Sequence, residues 1–289
     1  MWGEQVKFGV STMMTDEGIA PARLGRALEE RGFESLFVGE HTHIPVKRET
    51  PWPGGGDLGR DLYRTLDPVV ALTAAAVVTE RLILGGGVFQ VTQRDPITLA
   101  KEIASLDQVS GGRVVVGVGA GWNREEMRNH GTEPRTRMAL LRERVLAMKA
   151  LWTQEEAEFH GDFVSFDPVY SWPKPVQRPG PTIMVGGNHP AAVERVLDFG
   201  DDWGLIWLPM MMEPDTALGG IIADFRRRAQ EKGRGRLPVT AYQVPADAAA
   251  VESIVAAGAD RILFTLDTAP EADTLRSLDT MAKLMAEAA

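Results

Sequence analysis

Gly85-Gly86-Gly87-Val88-Phe89-Gln90 follows directly on the apolar run Arg81-Leu82-Ile83-Leu84. A hydrophobic β-type run that opens into three glycines puts nearly bare backbone at the end of a strand. Glycine packs nothing and costs folding entropy, so three in succession need a reason. Either the chain turns there through angles that only glycine tolerates, or a flat ligand lies against the backbone. In a parallel α/β protein the carboxyl ends of the strands are where ligands bind.

The same kind of run recurs along the chain, at 6–11, 35–39, 82–88, 113–118, 182–186, 202–208, 237–244 and 260–266. Several are nearly continuous in Val, Ile, Leu and Phe, as expected of parallel strands covered on both faces. Amphipathic stretches separate them at 21–31, 68–79, 96–108, 139–152, 190–199, 214–232 and 248–257, and a final one at 270–288 follows the last run. Proline often stands near a helix start, where its missing N–H is not needed. Eight strands with eight following helices predict a (β/α)8 TIM barrel, with a doubly wound open sheet as the alternative. Two connections are longer than such units need. The segment 40–67 is rich in Pro and Gly, and 155–181 carries Phe159-His160-Gly161 and Trp172-Pro173-Lys174-Pro175. They read as extended loops after strands 2 and 4, of the length used for lids and binding loops. One domain spanning 1–289 is expected.

Composition narrows the function. The chain has 289 residues, 44% hydrophobic and 25% charged, enough for a sizeable core. No apolar run is long enough to span a membrane, and the start Met1-Trp2-Gly3-Glu4-Gln5-Val6-Lys7 lacks a signal-peptide pattern, so a cytoplasmic protein is expected. With no cysteine there is no disulfide, thiolate nucleophile or thiolate metal site. A net charge of -9 argues against nucleic acid as partner and leaves a small-molecule substrate. A local group of cations, Lys47, Arg48, Arg60 and Arg64, could still receive an anionic ligand, or could be ordinary surface charge.

Three strand ends carry candidate chemistry. At the second, Gly39-Glu40-His41-Thr42-His43-Ile44-Pro45 puts Glu40, His41 and His43 where they could converge in a barrel mouth. A histidine there can relay protons near neutral pH, with Glu40 as its polarising neighbour. His-x-His also suits a metal, with His189 and Asp267 as further ligands, but no lysine ends the fourth strand to bridge two ions. The expected metal set is none. At the fourth strand end, Gly117-Val118-Gly119-Ala120-Gly121-Trp122-Asn123 is a poor dinucleotide fingerprint. Its small residues suit the back of a flat ring, with Trp122 as apolar wall or plain packing and Asn123 as a hydrogen-bonding group. At the fifth, Gly186-Gly187-Asn188-His189-Pro190 opens a helix and could hold an anion, or could be a simple cap.

Taken together and in order, these stretches resemble the bacterial-luciferase-like monooxygenase superfamily over nearly the whole chain. The nearer likeness is to its actinobacterial branch of F420-dependent oxidoreductases. Gln93-Arg94-Asp95-Pro96, Leu106-Asp107-Gln108-Val109-Ser110-Gly111-Gly112-Arg113, Trp122-Asn123-Arg124-Glu125-Glu126 and Trp172-Pro173-Lys174-Pro175-Val176-Gln177 add to it. The resemblance implies a barrel that binds coenzyme F420, a 5-deazaflavin, or alternatively FMN, at the carboxyl ends of its strands, in a homodimer. It implies a non-prolyl cis peptide at Gly87–Val88 behind the ring, so that Gly86, Gly87, Val88 and Gln90 stand beside the cofactor with Gly119, Ala120, Gly121 and Asn123. Glu40 and His41 match positions near the ring, with His41 as proton relay, and Gly186, Gly187 and Asn188 lie at the phosphate. Sugar-phosphate dehydrogenases of this superfamily carry an acid where this chain has Trp122. That departure points to an apolar or aromatic substrate face and to an F420-dependent hydride transfer on an unidentified organic substrate. The same fold also allows a reduced-FMN monooxygenase.

Overall fold

The computed structural model describes residues 6–207 and 216–288. The first five residues, the end of the sixth run at 208 and the start of its helix at 214–215 lie outside the described residues. In chain order the strands are β1 (Lys7–Thr12), β2 (Ser35–Val38), β3 (Ile83–Gly86), β4 (Phe89–Gln90), β5 (Val114–Gly119), β6 (Ala157–His160), β7 (Ser165–Val169), β8 (Thr182–Gly186), β9 (Asp202–Ile206), β10 (Val239–Val244) and β11 (Arg261–Leu266). The helices are α1 (Pro21–Glu30), α2 (Pro68–Ala76), α3 (Pro96–Ser110), α4 (Arg124–Asn129), α5 (Arg137–Thr153), α6 (Pro190–Phe199), α7 (Thr216–Glu231), α8 (Ala248–Ala257) and α9 (Glu271–Ala288).

All neighbours in the main sheet pair in parallel, in the order β3-β2-β1-β11-β10-β9-β8-β5, and β3 pairs with β5 to close the ring. This is the predicted (β/α)8 barrel of eight strands. Strand alternation divides its apolar residues into two cores. Phe37, Val115, Met184, Tyr242 and Leu263 meet inside the barrel, with Ile83, Val88 and Ile206 against them. Their sequence neighbours Leu36, Val38, Val114, Val116, Ile183, Val185, Ile262 and Phe264 face outward into the larger core under the helices. Local signals set the helix starts. Asp67, Asp95, Asn123, His189 and Asp247 accept backbone N–H groups at the starts of α2, α3, α4, α6 and α8, and proline opens α1, α2, α3 and α6.

Two expectations change. The run 82–88 is not one strand, because β3 stops at Gly86 and the short β4 begins after Gly87–Val88. The long segment 155–181 comes after α5, not directly after a strand, and folds partly as the antiparallel pair β6–β7. Gln177 Nε2 from this segment donates to the carbonyl of Val114, where β5 begins, at 2.8 Å. It therefore lies at the amino ends of the strands, away from the mouth, and is no lid. The segment 40–67 does follow a strand end and covers the mouth. Leu66 N–H donates to Met14 C=O at 2.7 Å, and Arg60 and Arg64 pair with Glu17 and Asp16 beyond β1.

Candidate active site

The glycine run is packed more tightly than its composition suggests. A Cβ on Gly85 would run into the Phe37 ring, and one on Gly86 into the Phe89 ring. Gly86 is buried, so it does not offer bare backbone to a ligand, contrary to expectation. Its carbonyl lies where a Cβ on Gly117 of β5 would stand, which lets the two strands approach as the barrel closes. The peptide Gly87–Val88 is cis. What reaches the mouth is the half-buried side chain of Val88, flanked by two further glycines. A Cβ on Gly119 would lie 2.5 Å from Val88 Cγ2, and one on Gly186 would lie 3.3 Å from Val88 Cγ1. Two strands, β5 and β8, thus yield space to one apolar side chain, which forms a small nonpolar surface.

His41 stands beside Gln90, two residues beyond that surface. Its Nδ1 lies 2.9 Å from Glu126 Oε2 and 3.1 Å from Oε1, and both side chains are buried. The indole N–H of Trp122 lies 3.2 Å from the other ring nitrogen, Nε2. An indole nitrogen can only donate, so Nε2 must be the acceptor. The neutral ring then carries its proton on Nδ1 and donates it to the Glu126 carboxylate, and Gln90 Nε2, which donates to Glu40 C=O, packs 2.9 Å from the same nitrogen. Asn123 explains why Glu126 is held there. Its Oδ1 caps α4 by accepting the N–H groups of Glu125 and Glu126, both at 3.1 Å.

The expected pairing of Glu40 with His41 is therefore replaced. Glu40 Oε2 accepts the Gln90 backbone N–H at 2.7 Å, and Oε1 accepts Arg94 Nε at 2.6 Å. Arg94 also pairs with Asp67 and Glu102. Burial pushes the Glu40 carboxyl above the usual range against the pull of Arg94. The Gln90 amide donates to Glu40 C=O at 2.6 Å and accepts from Gln93 Nε2 at 2.5 Å, so Gln90 braces the loop that carries His41.

His43 points elsewhere. Its ring contacts Thr42 Oγ1 at 3.0 Å and Asn129 Nδ2 at 2.9 Å and sits 5.3 Å from the His130 ring. Burial first, then the His43 charge, lowers the pKa of His130. Asn188 is also otherwise engaged, since its side chain donates to Ile206 C=O at 2.7 Å and accepts Ile206 N–H at 2.8 Å. His189, not Asn188, caps α6 by accepting the Ala191 N–H. Gly187 has φ +134°, and its N–H donates to Gly204 C=O. Ala120 is buried with its carbonyl bonded to Thr92 Oγ1, while Gly119 and Gly121 are half-buried at the mouth. Among the described residues no group of three or more His, Asp or Glu could hold a metal ion.

Composition and spacing did not single out Glu126, Arg94 or Arg137. Asn123 followed by Glu125-Glu126 is a helix-start pattern, which was the available signal for Glu126. Arg137, opening α5, donates from Nη1 to Pro134 C=O at 2.6 Å, yet its Nε is buried without a partner. It is close enough to Arg195 of α6 that, after burial, its charge lowers that guanidinium. Over the mouth, segment 40–67 encloses an open cavity of about 900 Å³ lined by Trp52, Leu58, Tyr63 and Arg48, among others. Trp52 packs edge-on against Trp122 with centroids 5.0 Å apart. Of the four cations grouped in sequence, Arg60 and Arg64 are paired, whereas Arg48 faces this cavity without an ion pair among the described residues.

A family model described as "Luciferase-like monooxygenase" matches residues 9–262. An uncharacterized protein of Mycobacterium tuberculosis is 52% identical over 182 residues, 62% of this chain and 64% of that protein. The FMNH(2)-dependent dimethylsulfone monooxygenase of Pseudomonas putida is 33% identical over 53% of this chain and 42% of its own. The F420-dependent glucose-6-phosphate dehydrogenase of Nakamurella multipartita is 32% identical over 65% of this chain and 52% of its own. Each match spans less than two thirds of the relative. Among solved structures, monooxygenase RslO1 from Streptomyces bottropensis superposes with a TM-score of 0.79 at 21% identity, covering 97% of this chain and 99% of that one. No helix among the described residues is long and apolar enough to cross a membrane.

Proposed function

Because this chain belongs to the luciferase-like monooxygenase family, we propose that it is an oxidoreductase that binds coenzyme F420 at the barrel mouth and acts on an organic substrate. The observation that carries this reading is the buried Glu126–His41 pair, capped by half-buried Trp122, next to the Val88 surface. When bound, the coenzyme supplies two-electron hydride chemistry at its ring. The residues present fit such a group. Val88 between Gly119 and Gly186 offers an apolar seat for one ring face, and the unpartnered Nε of Arg137 near α6 suits a phosphate.

When a substrate carbon gives up hydride, neutral His41 is the base that takes the proton leaving the adjoining oxygen, and in the reverse direction it returns that proton. It exchanges that proton at Nε2, the atom now held by Trp122, and the Glu126 carboxylate stabilises the ring in its charged form. Glu126 also fixes the ring's orientation, so little motion is needed at the moment of transfer. Trp52 and Tyr63 line the open cavity, with Trp122 packed against Trp52, and this aromatic surface suits an apolar or aromatic substrate, with Arg48 as positive charge at its edge.

A reduced-FMN monooxygenase is the second reading, favoured by the likeness to the dimethylsulfone monooxygenase. Titration of the protein with F420 and, separately, with oxidised and reduced FMN decides between them, read by quenching of its seven tryptophans. F420 is expected to bind at least about tenfold tighter, a difference of roughly 1.4 kcal/mol. Tighter binding of reduced FMN would replace the deazaflavin reading with the oxygenase one.

A further inference from the structure

Inside the barrel one polar atom stands out of place. The cluster of Phe37, Val115, Met184 and Leu263, with Ile83, Val88 and Ile206 against it, is apolar except for Tyr242 of β10. Tyr242 is 6% exposed, and its hydroxyl has no hydrogen-bond partner among the described residues. A phenylalanine would fill the same volume, so packing alone does not account for the oxygen.

The position of that oxygen is specific. A Cβ on Gly186 would stand 3.3 Å from Tyr242 Oη and 3.3 Å from Val88 Cγ1. The hydroxyl therefore reaches the rim of the same nonpolar surface that Val88 presents, through the gap left by Gly186. The backbone is bent at this point as well. The pairing of β10 with β11 slips in register between Tyr242 and Val244, and Gln243 between them has φ +61°. Among the described residues Gln243 is the one non-glycine with positive φ. Bulges and left-handed residues of this kind re-aim side chains beside active sites. Burial raises the phenol pKa, so the group remains a donor at neutral pH.

We infer that Tyr242 is a positioning residue whose hydroxyl donates a hydrogen bond to an acceptor on the edge of the ring seated on Val88. The inference rests on the coenzyme reading above, and its failure is separable from failure of that reading. The experiment compares wild type and Tyr242→Phe in three measurements: melting without coenzyme, affinity for F420 and for FMN by tryptophan quenching, and the absorption maximum of the bound ring. Removing an unpaired hydroxyl should leave melting unchanged or raise it, while affinity for the coenzyme that wild type binds falls about fivefold to tenfold and the absorption maximum shifts. A purely structural tyrosine would lower the melting temperature and leave the bound ring's spectrum alone. Equal affinity and spectrum in the two proteins would overturn the role of Tyr242 while leaving the coenzyme reading intact. Wild type that binds neither F420 nor FMN would overturn both.

Discussion

Two arginines at the amino ends of the barrel and two at the mouth are used in opposite ways. At the amino ends Arg113 donates from Nε to Ser110 C=O, from Nη1 to Thr79 Oγ1 and Leu82 C=O, and from Nη2 to Ala76 and Thr79 C=O, all between 2.7 and 2.9 Å. Arg261 grips Glu34 through Nε and Nη2, both at 2.9 Å, and reaches Thr240 with Nη1. These cations are saturated by their own chain and tie strand starts to helix ends. At the carboxyl ends Arg48 lacks an ion pair, Arg137 keeps a buried Nε unpaired, and Tyr242 keeps its hydroxyl unpaired. A satisfied group stabilises the fold, whereas an unsatisfied one in a cleft is available to a ligand. In a barrel of this type the floor reads as stability and the mouth as chemistry.

That contrast predicts opposite mutational signatures. The largest effect belongs to His41. His41→Ala should slow turnover roughly a hundredfold to ten-thousandfold while coenzyme affinity stays within about twofold. Glu126→Gln should cost less, about tenfold in rate, because the ring keeps a hydrogen-bond partner and loses only the charge. Turnover unchanged by His41→Ala would break the assignment of the mouth's chemistry.

Arg113→Met tests the floor. It removes five donors and leaves carbonyls unpaired, which should cost about 2–4 kcal/mol and lower the melting temperature by roughly 5–10 °C. Coenzyme affinity should not change, so a parallel loss of binding would erase the distinction between the two ends. The smallest effect concerns pH. Burial and the His43 charge hold His130 below its ordinary value, so the unfolded chain binds that proton at higher pH than the folded one. The corresponding stability is present above about pH 6.5 and is lost as the pH falls through it. His130→Gln should flatten the drop in melting temperature between about pH 7.5 and 5.5 by on the order of 1 °C. An unaltered slope would show that the His43–His130 pair carries no folding linkage.

The barrel was legible because its evidence is local and repeated: apolar runs of strand length, prolines at helix starts, glycines at strand ends. The position of the break at Gly87–Val88 was legible through family likeness. The partners of the site residues were not. Glu40 is adjacent to His41 in sequence, and alternation in an extended chain sends adjacent side chains to opposite sides. Glu126 is 85 positions away and meets His41 only because the Asn123 cap fixes where α4 begins. Asn123 and Asn188 look like ligand-binding amides in sequence, but the free backbone groups beside them claim their side chains first. Tyr242 was invisible for another reason, since an aromatic residue in an apolar strand reads as core until its hydroxyl is found without a partner.

The indole of Trp122 has one further consequence. With Nδ1 committed to Glu126 and Nε2 covered by the indole N–H, neutral His41 offers no vacant nitrogen to solvent. A water molecule arriving alone finds no free acceptor on the ring. A molecule that displaces the indole, by filling the aromatic wall shared with Trp52, uncovers Nε2 as it binds. Shape recognition and proton access would then be the same event.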